Sequence, residues 1–422
     1  MSIDDQYKKY SVKVNSGSGC LVQPSTNEYS YVITVKHNVK SNIENNELPK
    51  IFTSDDNKIE VIKIFTHPTY DLAIIKVEYQ KDINLHIKRN IKNYSILYLF
   101  GFPDNKIQDE VKTKKVIGKL IEKNDPFFVL SSNSFDGQDD VVGFSGCGVY
   151  QEVNEIIYLS GIEFRMDSYN DDEGRINIYP IGFIEDIIEN NIDQLKRIYP
   201  IYMSNFSFLE DDAFKLEVDA LDEERIIATR TTLKNKALNI IESDVTPQGI
   251  KELFKERILL NHEYSEHIYI KNVWIAWLEF LTIMNIIKGY VINNDLLSEI
   301  FDTIRLKYSD EDDWTNLLRT DLLNSDYRGL KPDSTVIVST KKPPLGNFIL
   351  PKDRIPRDLR VVSKRGLQID NGVRNPYEDF NFVHLEFFKK ECIIKRLESY
   401  ENIHDEDELL QILKQQYDEL FS

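Results

Sequence analysis

The chain has 422 residues, and its 70 acidic against 52 basic side chains leave a formal net charge of -18. That charge opposes general affinity for phosphate backbones, so nucleic acid is excluded as the default partner. The length exceeds what a single hydrophobic core supports and predicts at least two domains, for which an apolar content of 41% is enough.

The opening segment, MSIDDQYKKYSVKV, has acidic residues where a signal peptide is basic, and no apolar run of signal length follows it. No window reaches the roughly 18 apolar residues that cross a bilayer; the nearest approach, 273–287, is broken by polar positions. Cys20, Cys147 and Cys392 are sparse and lack C-x-x-C spacing, which fits a reducing compartment and offers no metal or redox site. The expectation is a soluble cytoplasmic protein with no membrane contact and no metal or organic cofactor.

Between residues 11 and 183 the chain reads as short β-rich runs separated by turns, among them YVITV, KIEVIKIF, LAIIKV and SILYLFGF. Strands of this length at near-regular spacing predict an all-β sandwich or barrel. Three patterns lie along it in order. N-S-G-S-G-C-L-V at 15–22 leads into Y-V-I-T-V-K-H-N-V at 31–39; H-P-T-Y-D-L-A-I-I-K-V follows at 67–77, and G-F-S-G-C-G-V at 143–149.

These residue types suit one chemistry. A serine hydroxyl is a poor nucleophile until an imidazole accepts its proton, and the imidazole needs a carboxylate to fix its tautomer and stabilise its charge. Ser145, His37 and Asp71 can fill those roles. Gly143 lets the backbone turn so that its amide and that of Ser145 can meet a tetrahedral oxyanion, an arrangement worth about 3 to 4 kcal/mol of barrier.

Together the patterns resemble the trypsin-like, chymotrypsin-superfamily serine proteases, closest to the bacterial branch without disulfides. The match runs through Gly17 to Val22, Thr34 to His37, Asp71 to Val77 and Gly143 to Gly146, and covers roughly residues 12–188. It implies a double six-stranded β-barrel, a catalytic triad of His37, Asp71 and Ser145, and an oxyanion hole at Gly143 and Ser145. It also places Asp139, six residues before Ser145, at the floor of the specificity pocket, where a carboxylate favours arginine or lysine. The bland reading of 137–140 is a solvated acidic turn. Gly161, Ile162 and Glu163 are expected to line the strand that pairs with substrate backbone, with Glu163 adding to a basic preference.

The pattern departs from the family in places. Val35 and Lys36 precede the histidine where small residues are usual, Phe144 replaces the Asn or Asp before the nucleophile, and Cys147 replaces a glycine. With no acid at position 144, pairing with a freshly cut N-terminus is not the expected switch. His67 reads as a surface or loop histidine and the remaining histidines as ordinary. Cys20 and Cys147 read as packing residues.

Beyond Gly182 the periodicity becomes helical. Apolar spacing predicts helices over 223–242, 247–261, 272–289, 293–307 and 310–323, and again over 380–400 and 406–421. Thr246 and Pro247 form a helix start by capping and by proline's tolerance at the first position. Trp274, Trp277, Leu278 and Leu281 form a stripe at helical spacing, the mark of a core. Residues 328–374 carry five prolines and eleven basic against four acidic residues. Without interleaved aromatics this insert lacks a base-stacking surface, and S-T-V-I-V-S-T suggests one strand within it.

The T-P-x-x-I-x-x-x-F start followed by W-x-x-W-L-E-F-L is similar to the C-terminal association regions of bacterial multi-component conflict and defence systems. This implies docking to a companion protein. The sequence thus predicts a multidomain chain: a protease domain over 1–194, a linker over 195–222, and a mainly α-helical partner-binding or regulatory domain with a short β/loop insert over 223–422. The expected function is a serine endopeptidase acting on a protein substrate, gated by its C-terminal domain in anti-phage defence. The alternative is an inactive protease-like binding module, its site spoiled by Lys36, Phe144 and Cys147.

Overall fold

A computed structural model describes residues 2–419 apart from 84, 90, 104–112, 135–141, 154–155, 167–173, 217, 219–221, 261–267, 310–313, 315–321, 323–324, 345, 347, 350–375 and 404. The chain divides into two compact units, Met1–Ile201 and Tyr202–Ser422.

A helix, α1 (Ile3–Tyr10), precedes the first sheet and starts with a capping box between Ser2 and Asp5. Seven antiparallel strands follow: β1 (Ser11–Val14), β2 (Gly17–Val22), β3 (Tyr29–Thr34), β4 (Ile51–Thr53), β5 (Lys58–Ile59), β6 (Val61–Thr66) and β7 (Ala73–Glu78). Their order is β5-β4-β1-β2-β3-β7-β6. Only Glu60 separates β5 from β6, and its carbonyl accepts from the Glu78 amide at 3.0 Å. The two are therefore one bent strand, and the sheet closes as a six-stranded barrel.

The second barrel uses β8 (His86–Ile87), β9 (Ile96–Gly101), β10 (Lys114–Lys123), β11 (Phe128–Ser131), β12 (Gly148–Val153), β13 (Ile156–Met166) and β14 (Arg175–Pro180). The ring β12-β9-β10-β11-β14-β13 closes through pairing of β12 with β13, and β8 is appended to β13 in parallel. Closure removes the free edges that an open sheet would expose. Alternation does the rest: in β10, Val116 and Leu120 point into the core while Ile117 and Lys119 face solvent. This is the two-barrel, all-β architecture expected from the sequence. The helix α3 (Gly182–Glu189) follows, burying Ile184, Ile187 and Ile188.

The second unit packs α4 (Glu223–Ile241), α5 (Pro247–Phe254), α6 (Lys271–Lys288) and α7 (Asn294–Phe301) with a three-stranded parallel sheet. Thr246 caps α5 through the Gly249 amide at 3.0 Å, with Pro247 at the first position. The helix α6 is buried nearly all round and is the central element; Trp274 and Trp277 are almost wholly enclosed, as their spacing predicts.

The sheet differs from the expected single strand. It joins β15 (Ile304–Ser309), β16 (Thr335–Thr340) and β17 (Asn381–His384) in the order β15-β16-β17. The expected helix over 293–307 ends at Phe301 and gives way to β15, and the one over 380–400 is instead β17, a short helix α8 (Glu386–Lys390) and a 3-10 turn, Ile394–Ser399. The strand β15 was hidden because every residue in it is buried, Arg305 and Lys307 included. Arg305 is accommodated by the carbonyls of Phe301 and Asp326, and its burial lowers its pKa to about 10. A final helix, α9 (Glu406–Asp418), is capped by Asp405. Most of the predicted 310–323 helix and of the basic insert lies outside the described residues.

Candidate active site

The connections between strands bring the three predicted side chains to one region of the first unit. A 3-10 turn, Lys36–Val39, follows β3 and carries His37. The turn between β6 and β7 carries Asp71, and the turn before β12 carries Ser145.

Asp71 grips His37 with both oxygens. Oδ1 accepts the His37 backbone amide at 2.9 Å, and Oδ2 lies 2.7 Å from ring Nδ1. Burial pushes the Asp71 carboxyl up, but the hydrogen bond and charge of His37 and the amides of His37 and Lys36 outweigh it, leaving the pKa below the ordinary value. An ionised Asp71 accepts Nδ1–H, which leaves Nε2 as the acceptor. Tyr179 packs beside this turn: its ring lies 5.7 Å from that of Tyr70 and stacks on that of Phe164 at 4.0 Å.

The Ser145 turn is fastened to the first barrel by residues the sequence reading did not single out. Ser18 donates its amide to Ser145 O at 2.9 Å and its hydroxyl to Gly143 O at 2.7 Å. Asn38, next to His37, donates Nδ2 to the same Ser145 carbonyl at 2.7 Å. Gly143 and Gly146 take φ of 91° and 92°, a region closed to most side chains. A Cβ at Gly146 would also sit 2.3 Å from Ser18 O and Thr34 Oγ1. The signals were there: Ser18 lies inside the G-S-G run, and Asn38 directly follows the histidine.

Ser145 Oγ donates to Phe164 O at 3.5 Å, and no hydrogen bond joins it to the His37 ring. Among the described residues, the amides of Gly143 and Ser145 donate to no backbone carbonyl. Cys147 is fully buried and its thiol lies well above the usual range, first through desolvation and then through Glu163. A thiol so protonated is a packing group. Phe144 likewise fills the core of the second barrel.

Two expectations change. Gly161, Ile162 and Glu163 cannot offer backbone to a substrate, because all three are already bonded on both sides. Gly161 and Ile162 pair with Val149 and Gly148 of β12 and with Pro180 and Tyr179 of β14, while Glu163 bonds the Gly146 and Cys147 turn and pairs with Ile178. Beyond a bulge at Phe164, Arg165 and Met166 pair with β14 alone among the described residues, so the open edge lies there. Glu163 itself is fully enclosed and, among the described residues, neither carboxylate oxygen has a hydrogen-bond partner. Burial, with the nearby charge of Asp71, raises its pKa to about 8, so it is mostly protonated at neutral pH. His67 is buried rather than on the surface, at 5% exposure. Asp139 lies outside the described residues.

No cluster of three or more metal-ligating side chains occurs among the described residues, and no helix among them is long and apolar enough to cross a membrane.

Residues 178–394 match the family described as C-terminal domain 4 of the ABC-three component (ABC-3C) systems. The chain belongs to this family. The ABC-3C match begins in β14 and runs to Ile394, so it takes in the end of the second barrel as well as most of the helical unit. Membership in an ABC-3C system implies protein partners. Among solved structures, the chain is similar to Rv3671c from M. tuberculosis H37Rv, a serine-to-alanine mutant in its inactive form. The identity is 15% over 46% of this chain and 92% of that one, with a TM-score of 0.35. No curated protein matches the chain.

Proposed function

We propose that this ABC-3C chain is a serine endopeptidase and acts as the effector of a multi-component defence system in the cytoplasm. The observation that carries this reading is the two-point bond between His37 and Asp71, with the Ser145 turn tied through Asn38 to the residue beside that histidine. Ser145 Oγ attacks a peptide carbonyl, His37 Nε2 takes its proton and returns it to the leaving amine, and Asp71 holds the ring and stabilises its charge. The amides of Gly143 and Ser145 receive the oxyanion, and water releases the acyl-enzyme. Substrate backbone pairs along Phe164 to Met166 by β-augmentation. Asp139 sets a preference for arginine or lysine.

The helical unit docks a partner protein, such as a sensor or an ATPase, and thereby gates the site. Incubation with a fluorophosphonate probe tests the reading: wild-type protein should be labelled, Ser145→Ala should not, and the companion subunits should change the rate. A second reading, a protease-like binding module, draws on the 3.5 Å contact of Ser145 Oγ with Phe164 O in place of a bond to His37. Catalytic hydrogen bonds are often long without substrate and tighten on binding, so that contact does not favour the module over the enzyme. Absence of Ser145-dependent labelling even in the assembled complex would establish the module.

A further inference from the structure

The turn that presents Asp71 is built around a buried imidazole. His67 ends β6's approach, and its amide donates to Leu72 O at 2.9 Å, pinching the loop shut at its base. Inside the loop, ring Nδ1 accepts two backbone amides, from Thr69 at 3.1 Å and Tyr70 at 2.9 Å. An acceptor at Nδ1 exists only in the neutral ring with its proton on Nε2. That Nε2 lies 3.7 Å from Asp186 Oδ2 on α3, and the ring packs against Tyr70 and Phe183. The side chain thus does what an Asx turn does, supplying a δ-position acceptor to amides two and three residues on. The residue immediately after those two amides is Asp71.

We propose that His67 is a positioning residue: its neutral imidazole nucleates the turn that aims the Asp71 carboxylate at His37. This rests on the reading of His37, Asp71 and Ser145 as a triad. Neither Pro68 nor the backbone alone can replace the imidazole. Proline fixes one dihedral but has no amide to give, and the two amides need an acceptor inside the loop.

The test compares two substitutions on the full chain. His67→Asn keeps an acceptor at the δ position, and His67→Phe keeps the ring but no acceptor. Labelling by a fluorophosphonate should slow about 100-fold in His67→Phe, the scale of a small misplacement of a catalytic group. His67→Asn should recover most of that rate. In an Asp71→Asn background, His67→Phe should slow labelling no further, because the effect runs through the carboxylate. Equal rates for the two single variants, or the same additional slowing in the Asp71→Asn background, would overturn the proposal.

A readout independent of labelling separates failure of this inference from failure of the triad reading. Nitrogen NMR should show His67 Nδ1 unprotonated, and the His37 Nδ1–H proton should be seen in wild type and His67→Asn but not in His67→Phe. A His37 proton that survives in His67→Phe overturns the positioning role even if no variant is ever labelled.

Discussion

Glu279 in the helical unit and Glu163 in the barrel unit are both buried acids, yet the carboxylate of the first is surrounded by partners and that of the second has none among the described residues. Glu279 accepts the Phe214 amide at 2.8 Å and the Lys389 ammonium at 3.0 Å, and Lys389 also reaches Glu386 at 2.5 Å. Burial works against that ammonium, but the two carboxylates more than offset it and hold Lys389 above the ordinary lysine range. Glu163 stands beside the Ser145 turn with no partner for either oxygen among the described residues and keeps its proton instead. Satisfied charge fixes a core, whereas an unsatisfied one is tolerated where the backbone has another duty. Here that duty is explicit, since the Glu163 carbonyl accepts the Gly146 amide and its own amide binds Cys147 O.

The contrast can be broken hardest at the proposed triad. Asp71→Asn should lower the rate of Ser145 labelling on the order of 10⁴-fold, because the ring then settles in the wrong tautomer, while leaving thermal unfolding little changed. Gly146→Ala should abolish labelling and lower stability, since its Cβ meets two oxygens at 2.3 Å in a left-handed turn. Labelling kinetics and circular dichroism check both. In the helical unit the largest effect comes from stranding a charge. Glu279→Leu removes the bond to the Phe214 amide and one of the two carboxylates facing Lys389, and should cost about 3 to 5 kcal/mol by denaturant unfolding.

The barrels were legible because their chemistry and their fold use local words. Strands alternate, Gly143 and Gly146 mark a turn that only glycine can make, and the histidine and the aspartate each sit at the end of a recognisable strand. What escaped depends on neighbours distant in sequence. Nothing near Glu163 says that it will be sealed beneath Asp71, and nothing near His67 says that its ring will be turned inward against Phe183, 116 positions away. The parallel sheet escaped for a similar reason. Arg305 inside β15 has only the Phe301 carbonyl nearby in sequence and completes its bonding through Asp326, 21 positions on, so the strand reads as amphipathic helix until the tertiary structure exists.

A smaller effect sharpens the comparison of the two acids through pH. Glu163 has a folded pKa of about 8 against an ordinary 4.5, so between those values the native state holds a proton that the unfolded chain releases. Its contribution to stability is whole below about 4.5 and is lost as pH rises to about 8, at about 1.4 kcal/mol per unit. Glu163→Gln carries no such proton. Wild type should therefore lose ground to this variant across that window in urea titrations, and parallel curves for the two proteins would show that the acid is ionised in the fold.

The smallest expected effect again pairs one residue from each unit. Gly289 caps α6 with φ of 74°, a left-handed conformation like that of Gly146, but a Cβ there would meet nothing within 4 Å. Only the intrinsic backbone penalty remains, so Gly289→Ala should cost about 1 kcal/mol. Labelling of Ser145 should be untouched. Two glycines with similar φ would then differ in consequence by what lies around them, which is the distinction between a helix end that needs a turn and a Ser145 loop pressed against the strand that holds it.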